Sequence, residues 1–240
     1  MLGLSRGAIP ALLIAVSVVA GCGERPMAKS SAESAASDAV QVTNGASAAP
    51  GCLVAGAEAF ETLTEHALSA PSAPLEAEAR RVASHALACE ADPSPSQFSA
   101  LQPIIQRIGN FPQTHDRSQL ALNAVEGYRV LVSARARSAS DPPLAVALLD
   151  YAGFRYQADV LSTPARWDDA RQAVDFADAQ WRTLAPQISD AALKAAFDAN
   201  IQALRAAVSA ADVAAAQRAA NVELERVDAL EQYFARQSGG

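Results

Sequence analysis

The sequence predicts an all-α protein, an antiparallel helical bundle with C-terminal up-down helices and an N-terminal helical hairpin. Three observations carry that expectation. Strand signals are nearly absent, because β-branched residues are scattered and no alternating run of useful length occurs. Apolar residues recur instead at helical spacing, in a 240-residue chain dominated by alanine. Breakers built on Pro, Asp and Ser divide the helical runs, and short connections force successive helices to lie antiparallel.

The first element is not part of the bundle. Arg6 precedes an apolar run, 7–20, that ends in small residues. The run is about 14 residues, where a membrane span needs roughly 20, and Pro10 interrupts it. A charged start, apolar middle and small-residue end make the layout of a secretory signal peptide, here residues 1–21. The run closes on Val19-Ala20-Gly21-Cys22, which resembles the lipobox of bacterial lipoproteins. The resemblance covers residues 1–22. It implies cleavage before Cys22 and a diacylglycerol, with palmitate-type acyl chains, on that cysteine. Gly23 stands where the lipoprotein family places an Asp for inner-membrane retention. The resemblance therefore implies the cell envelope, at the outer membrane and facing the periplasm. The alternative is an ordinary signal peptide with a cysteine at its end by chance.

Residues 22–51 are rich in Ser, Ala, Gly, Pro and Thr, with almost no large apolar side chain. Such a segment cannot bury enough surface to offset its ordering entropy. It is predicted to be a flexible tether with a reach on the order of 30 Å. Charge narrows the partners. The chain has 19 basic and 26 acidic residues; removal of 1–21 takes only Arg6 and leaves 18 against 26, a net −8. No basic cluster occurs, which argues against nucleic acid, whose binding rests on neutralised phosphates, and against a polybasic membrane patch. Contact with the membrane is expected through the N-terminal lipid.

Two further cysteines, Cys52 and Cys89, are read as a structural disulfide, since an exported protein meets an oxidising compartment. Helices are predicted over 53–69 and 74–90, separated by the breaker 70–74. In an antiparallel hairpin both cysteines then fall at the same end, and a bridge would stabilise by roughly 3–4 kcal/mol in the chain-entropy model. A metal pair or redox couple is less favoured, because there is no CxxC spacing and no histidine level with them. The hairpin core is expected from Val54, Phe60, Leu63, Leu68, Leu75, Val82 and Leu87.

After the breaker 92–95, a helix over 96–109 carries Phe98, Leu101, Ile104, Ile105 and Ile108, with Gly109-Asn110 as its stop. The helix over 117–138 buries Leu120, Ala124, Gly127 and Leu131, or the neighbouring Tyr128 and Val132. Asp141-Pro142-Pro143 ends that unit. The next helix, 144–162, offers Leu148, Leu149, Tyr156 and Val160. Thr163-Pro164 is expected to cap helix 164–186, with Pro at the tolerated first position. There Trp167, Val174, Trp181 and Ile188 recur every seven residues, so one seam faces its neighbours at a low crossing angle. Ser189-Asp190 opens helix 190–209, and a Ser-Ala-Ala-Asp turn leads to helix 211–236. This divides the chain into a hairpin plus short helix, 52–115, and a bundle, 116–240, unless 52–240 form one domain. Segments 164–184 and 211–230 share an acidic start and an Ala-rich middle, which reads as convergent composition and lacks the glycine and tyrosine positions of a tetratricopeptide repeat.

Motifs of chemistry are sparse. No GxSxG, HExxH, phosphate loop, dinucleotide fingerprint or CxxCH occurs. His66 and His85 lie at different levels of the hairpin, and His115 sits beside Asp116 in a loop with no nucleophile to nominate. The C-terminal helices carry many carboxylates, Asp150, Asp159, Glu223, Asp228 and Glu231 among them. A di-iron bundle needs Glu-x-x-His pairs, and no histidine follows His115. A haem bundle needs an axial His or Met, and after residue 21 the one methionine is Met27. No metal, cofactor or catalytic residue is therefore expected. The polar spot to inspect is Tyr151, Arg155 and Asp159 on one helix face, where Arg155 and Asp159 make an i,i+4 pair: a surface salt bridge or, if partly buried, a ligand contact. Trp167 and Trp181, with Tyr151, Phe154 and Tyr156, form an aromatic stripe that is either core or the lining of an apolar pocket. The functional expectation is a non-enzymatic, lipid-anchored envelope module that presents a surface to envelope proteins; the alternative is a carrier or sensor of a small apolar ligand held between bundle helices.

Overall fold

The computed structural model describes residues 52–69, 75–88, 95–135 and 144–238. Cys22, the 22–51 segment, Cys89 and the side chain of Cys52 lie outside that description, and with them the lipid and disulfide expectations. The described residues contain nine α-helices and no strand: α1 (Cys52–Ser69), α2 (Leu75–Ala88), α3 (Pro95–Gly109), α4 (Phe111–Thr114), α5 (Arg117–Arg135), α6 (Leu144–Leu161), α7 (Trp167–Leu184), α8 (Ala191–Ala210) and α9 (Val213–Ser238). The helices form a bundle, as the spacing of apolar residues predicts.

Two cores hold it. Phe60 and Leu63 of α1, Leu75 of α2, Leu101 and Ile108 of α3, and Leu120 and Leu131 of α5 make the first. Leu149 and Tyr156 of α6, Val174 and Trp181 of α7, Phe197 and Leu204 of α8, and Val227 and Leu230 of α9 make the second. Helix α5, grouped on sequence with the C-terminal helices, contributes to the first core, and it joins the second through α6. The sequence offered two faces of α5 for burial. Both are buried, because α1, α3 and α6 all pack on it.

Side-chain contacts fix the directions. Gly56 lies against Leu131, Gly127 against Phe60, and Arg117 donates to the carbonyls of Ala67 and His66, so α1 and α5 run antiparallel. Gly127 is required there: a Cβ on it would stand 2.5 Å from the Phe60 ring. Glu126 meets Tyr151, and Ser118 meets the Leu161 carbonyl, so α5 and α6 are antiparallel. Asp178 with Arg205, and Trp181 with Asp198, orient α7 and α8 the same way. Gln157 with Asn221, and Gly153 with Leu224, do so for α6 and α9. The C-terminal helices are thus up and down in sequence order.

Helix ends follow from caps. Asp116 accepts the Gln119 amide at 3.0 Å and starts α5; Asp190 accepts from Ala192 and Leu193 and starts α8; Asp212 does the same for α9 through Ala215. One expected cap is corrected. Pro164 does not open α7. The Thr163–Pro164 bond is cis, and the helix begins at Trp167, behind Arg166, whose amide donates to the Asp159 carbonyl at 2.9 Å. Alpha3 carries an internal proline, Pro103, on its exposed side. A mid-helix proline costs about 3 kcal/mol; here Leu101, Ile104, Ile105 and Ile108 are buried on the opposite side and hold the helix through it. The Phe111–Thr114 turn, which apolar spacing is too short to signal, ends at His115 in the left-handed region, φ 51°.

Candidate functional site

Tyr151, Arg155 and Asp159 recur at i, i+4 and i+8 on α6 and therefore share one stripe. The structure brings them together and adds three residues that spacing within α6 does not reveal: Glu126 and Arg129 from α5, and Arg166 from the turn before α7. Glu126 is the hub. Its Oε1 accepts from the Tyr151 hydroxyl at 2.8 Å and from the Arg155 guanidinium, and its Oε2 accepts from Arg129 Nε at 2.9 Å. Arg129 also lies over the Tyr151 ring, 5.7 Å from its centre. Arg155 Nε donates to Asp159 Oδ2 at 2.9 Å. The other Asp159 oxygen faces Arg166 Nε at 3.4 Å, and Arg166 in turn binds Asp169.

The electrostatics follow from burial and pairing. Burial pushes Glu126 up, but the Tyr151 hydroxyl, Arg129 and Arg155 outweigh it and hold the carboxyl below its usual range. Burial, with Glu126 beside it, pushes Tyr151 up to about 12. Asp159 has no exposed side-chain surface; burial pushes it up while Arg155 and Arg166 pull it down. Three guanidiniums stand against three carboxylates, Glu126, Asp159 and Asp169. A chain of paired charges fixes the register of α5, α6 and α7, and each of its cations already has an anion. This arrangement is suited to positioning helices. It offers an incoming ligand no open charge.

Tyr151 also touches α7, edge-on to Phe176 with ring centres 5.5 Å apart. The two tryptophans lie elsewhere. Trp181 is buried in the second core, stacked on Phe197 at 4.3 Å, with its indole N–H donated to Asp198 at 2.6 Å. Trp167 is half-buried against that core at the start of α7. Tyr156 closes the seam by donating to the Leu204 carbonyl at 3.2 Å. Tyr156 and Trp181 are core and fill the space between α6, α7 and α8, whereas Tyr151 is half-buried between α5 and α7 and Phe154, buried, lies on the side of α6 that faces α1 and α9.

The histidines are helix-end and surface residues. His66 pairs with Glu78 at 2.8 Å and His115 approaches Glu76 at 3.6 Å, which ties α1 and the α4–α5 turn to α2. Among the described residues, no group of three or more His, Cys, Asp or Glu is placed to hold a metal ion. The chain matches no protein-family model, no curated protein and no solved structure, so its reading rests on its own residues.

Proposed function

We propose that the chain is a lipid-anchored protein of the cell envelope, tethered by residues 22–51, whose helical bundle presents a surface to envelope partners and performs no catalysis. The observation that carries this reading is Val19-Ala20-Gly21-Cys22 at the end of an apolar run and ahead of a segment rich in Ser, Ala, Gly, Pro and Thr. The lipid on Cys22, the Cys52–Cys89 bridge and the periplasmic face of the outer membrane belong to the same reading. No helix among the described residues is long and apolar enough to cross a membrane.

The bundle's own contribution to the reading is a groove between α8 and α9. Ala203, Ala206, Ala210, Ala215 and Ala219 line it, and Asp212 and Arg218 stand at its edges. Small side chains let another helix come close, and the charged edges give such a helix an orientation.

The test is made on the full chain expressed in a two-membrane bacterium. The protein is expected in the detergent phase of a phase partition, with a diacylglycerol mass on Cys22. Cys22→Ser moves it to the aqueous phase. A photo-crosslinking side chain at Ala206 is expected to capture a discrete envelope protein, whereas one at exposed Gln202 on the same helix is not. Wild-type protein in the aqueous phase with an unmodified Cys22, or equal capture from both positions, overturns the proposal.

A further inference from the structure

The chain folds back tightly between α3 and α5. Alpha3 ends on Gly109, the single turn of α4 follows, and His115 in the left-handed region leads the backbone into Asp116, the cap of α5. Arg107, in the last turn of α3, is thereby brought beside α5. Its Nε donates to Asn123 Oδ1 at 2.9 Å, and the Asn123 amide donates to the Gln119 carbonyl at 2.8 Å. Asn123 is 5 % exposed, so a buried side chain holds the guanidinium in place. Asp116 is anchored as well: its Oδ1 accepts the Gln119 amide at 3.0 Å, and its own N–H faces the Thr114 hydroxyl at 3.5 Å.

A pocket of about 150 Å³ lies between these elements. Phe111 and Leu120, both buried, form its apolar side, and Arg107, Asp116 and Asn123 line it with them. Asn110 lines it too, and stands at the start of α4 without capping it, so its carboxamide is left to the pocket. Arg107 and Asp116 share this small space, yet neither belongs to an ion pair among the described residues. The neighbouring charges are paired elsewhere, His115 with Glu76 and Arg166 with Asp159 and Asp169. Arg107 and Asp116 are each held at one atom by a neutral partner. A guanidinium engaged at Nε still presents its two terminal nitrogens to a carboxylate, and the second oxygen of Asp116 still accepts from an ammonium.

We propose that this pocket binds a small free α-amino acid, with the carboxylate on the Arg107 fork, the ammonium on Asp116 and the carbon skeleton against Phe111 and Leu120. Charge selects the class. Asp116 repels a lone anion and Arg107 repels a lone cation, whereas a zwitterion satisfies both. Volume selects the size. At about 30 Å³ for each water-sized group, the pocket holds roughly five such groups, which suits glycine or alanine. Asn123 and the Gln119 amide already hold the two charged side chains, so the ligand has little ordering left to drive. The pocket is distinct from the α8–α9 groove, and the site does not depend on that groove having a partner.

The site is tested by isothermal titration calorimetry of the full chain with glycine, L-alanine, propionate and glycinamide. Saturable binding of glycine and L-alanine is expected below about 10 mM. Propionate lacks the ammonium and glycinamide lacks the carboxylate; each is expected to bind about tenfold or more weakly, the worth of a hydrogen bond between charged groups. Arg107→Gln is expected to erase the preference for glycine over glycinamide. Asp116→Asn, which retains a capping side chain, is expected to erase the preference for L-alanine over propionate. Arg81→Gln, exposed on α2, is expected to leave both preferences intact. Absence of saturable binding of either amino acid in that range overturns the proposal. So does propionate or glycinamide binding as tightly as glycine, or preferences that survive in both Arg107→Gln and Asp116→Asn.

Discussion

Arg155→Met separates a buried charge network from a surface ion pair. The side chain is 21 % exposed and its partner Asp159 is not exposed at all. In the variant, Glu126 keeps the Tyr151 hydroxyl and Arg129, so its loss is partial. Asp159 keeps only Arg166 at 3.4 Å, a guanidinium 39 % exposed. Removing one partner of a buried pair costs about 3–5 kcal/mol; the remaining arginine puts this case at about 3 kcal/mol. An exposed i,i+4 pair would cost under about 1 kcal/mol. Methionine retains most of the aliphatic stem, so the difference reports charge rather than packing. Urea unfolding at pH 7, followed by far-ultraviolet circular dichroism, reads the loss as a lower midpoint at unchanged slope. A second arm tests the cause. With Arg155 gone, burial raises the Asp159 carboxyl against a single arginine, so the deficit is expected to shrink as the pH is lowered and a proton replaces the missing guanidinium. Asp159→Asn in the Arg155→Met background is expected to recover part of the loss at pH 7. A loss under about 1 kcal/mol for Arg155→Met, or no recovery from the added asparagine, refutes the reasoning.

Two further changes test the packing and the second core. Gly127→Ala puts a methyl 2.5 Å from the ring of Phe60, which has no exposed surface, so α1 must shift; the expected cost is about 2 kcal/mol, and unchanged stability in urea refutes the α1–α5 register. Glu223 has no exposed surface, one oxygen bound to the Asn200 amide at 2.7 Å and the other without a partner. Burial pushes it up to about 7, against the Asn200 hydrogen bond, so it contributes stability below pH 4.5 that is lost as the pH rises to 7. Glu223→Gln is expected to raise stability at pH 8 by up to about 3 kcal/mol and to leave it little changed at pH 4.5; an unchanged stability–pH curve refutes this.

The helices were legible because their apolar residues had one partner surface each. Of the seven-residue series, Val174 and Trp181 in α7 and Ile188 just beyond its end are buried, while Trp167 at its start is half-buried, and Asp190 caps α8 by the local chemistry that its position advertises. Helix α5 was less legible because it has no solvent side for most of its length, and a helix buried all round gives no stripe to read. The start of α7 was misplaced because Pro164 is equally at home at a first helical position and in a turn. At the candidate site, the i,i+4 pair of Arg155 and Asp159 was visible within one helix. Its hub was not. Glu126 lies 25 residues before Tyr151, on a helix whose facing partner is set by tertiary packing, and nothing in local spacing points across that gap.

Helix α6 carries buried carboxylates on two sides, Asp159 with arginine partners and Asp150 with none among the described residues. Toward α5 and α7, Arg129, Arg155 and Arg166 face Glu126, Asp159 and Asp169; the pairs offset one another, and Glu126, held below its usual range, is fully ionised near neutrality. On the other side of α6, burial pushes the Asp150 carboxyl up, with no ion pair to it among the described residues; on the first side burial also leaves Asp159 raised, against the pull of Arg155 and Arg166. Both sides lie at the junction of the two cores, so each ionisation changes how the halves fit. The first resists a change of pH across neutrality because its carboxylates cannot take up a proton without surrendering a guanidinium.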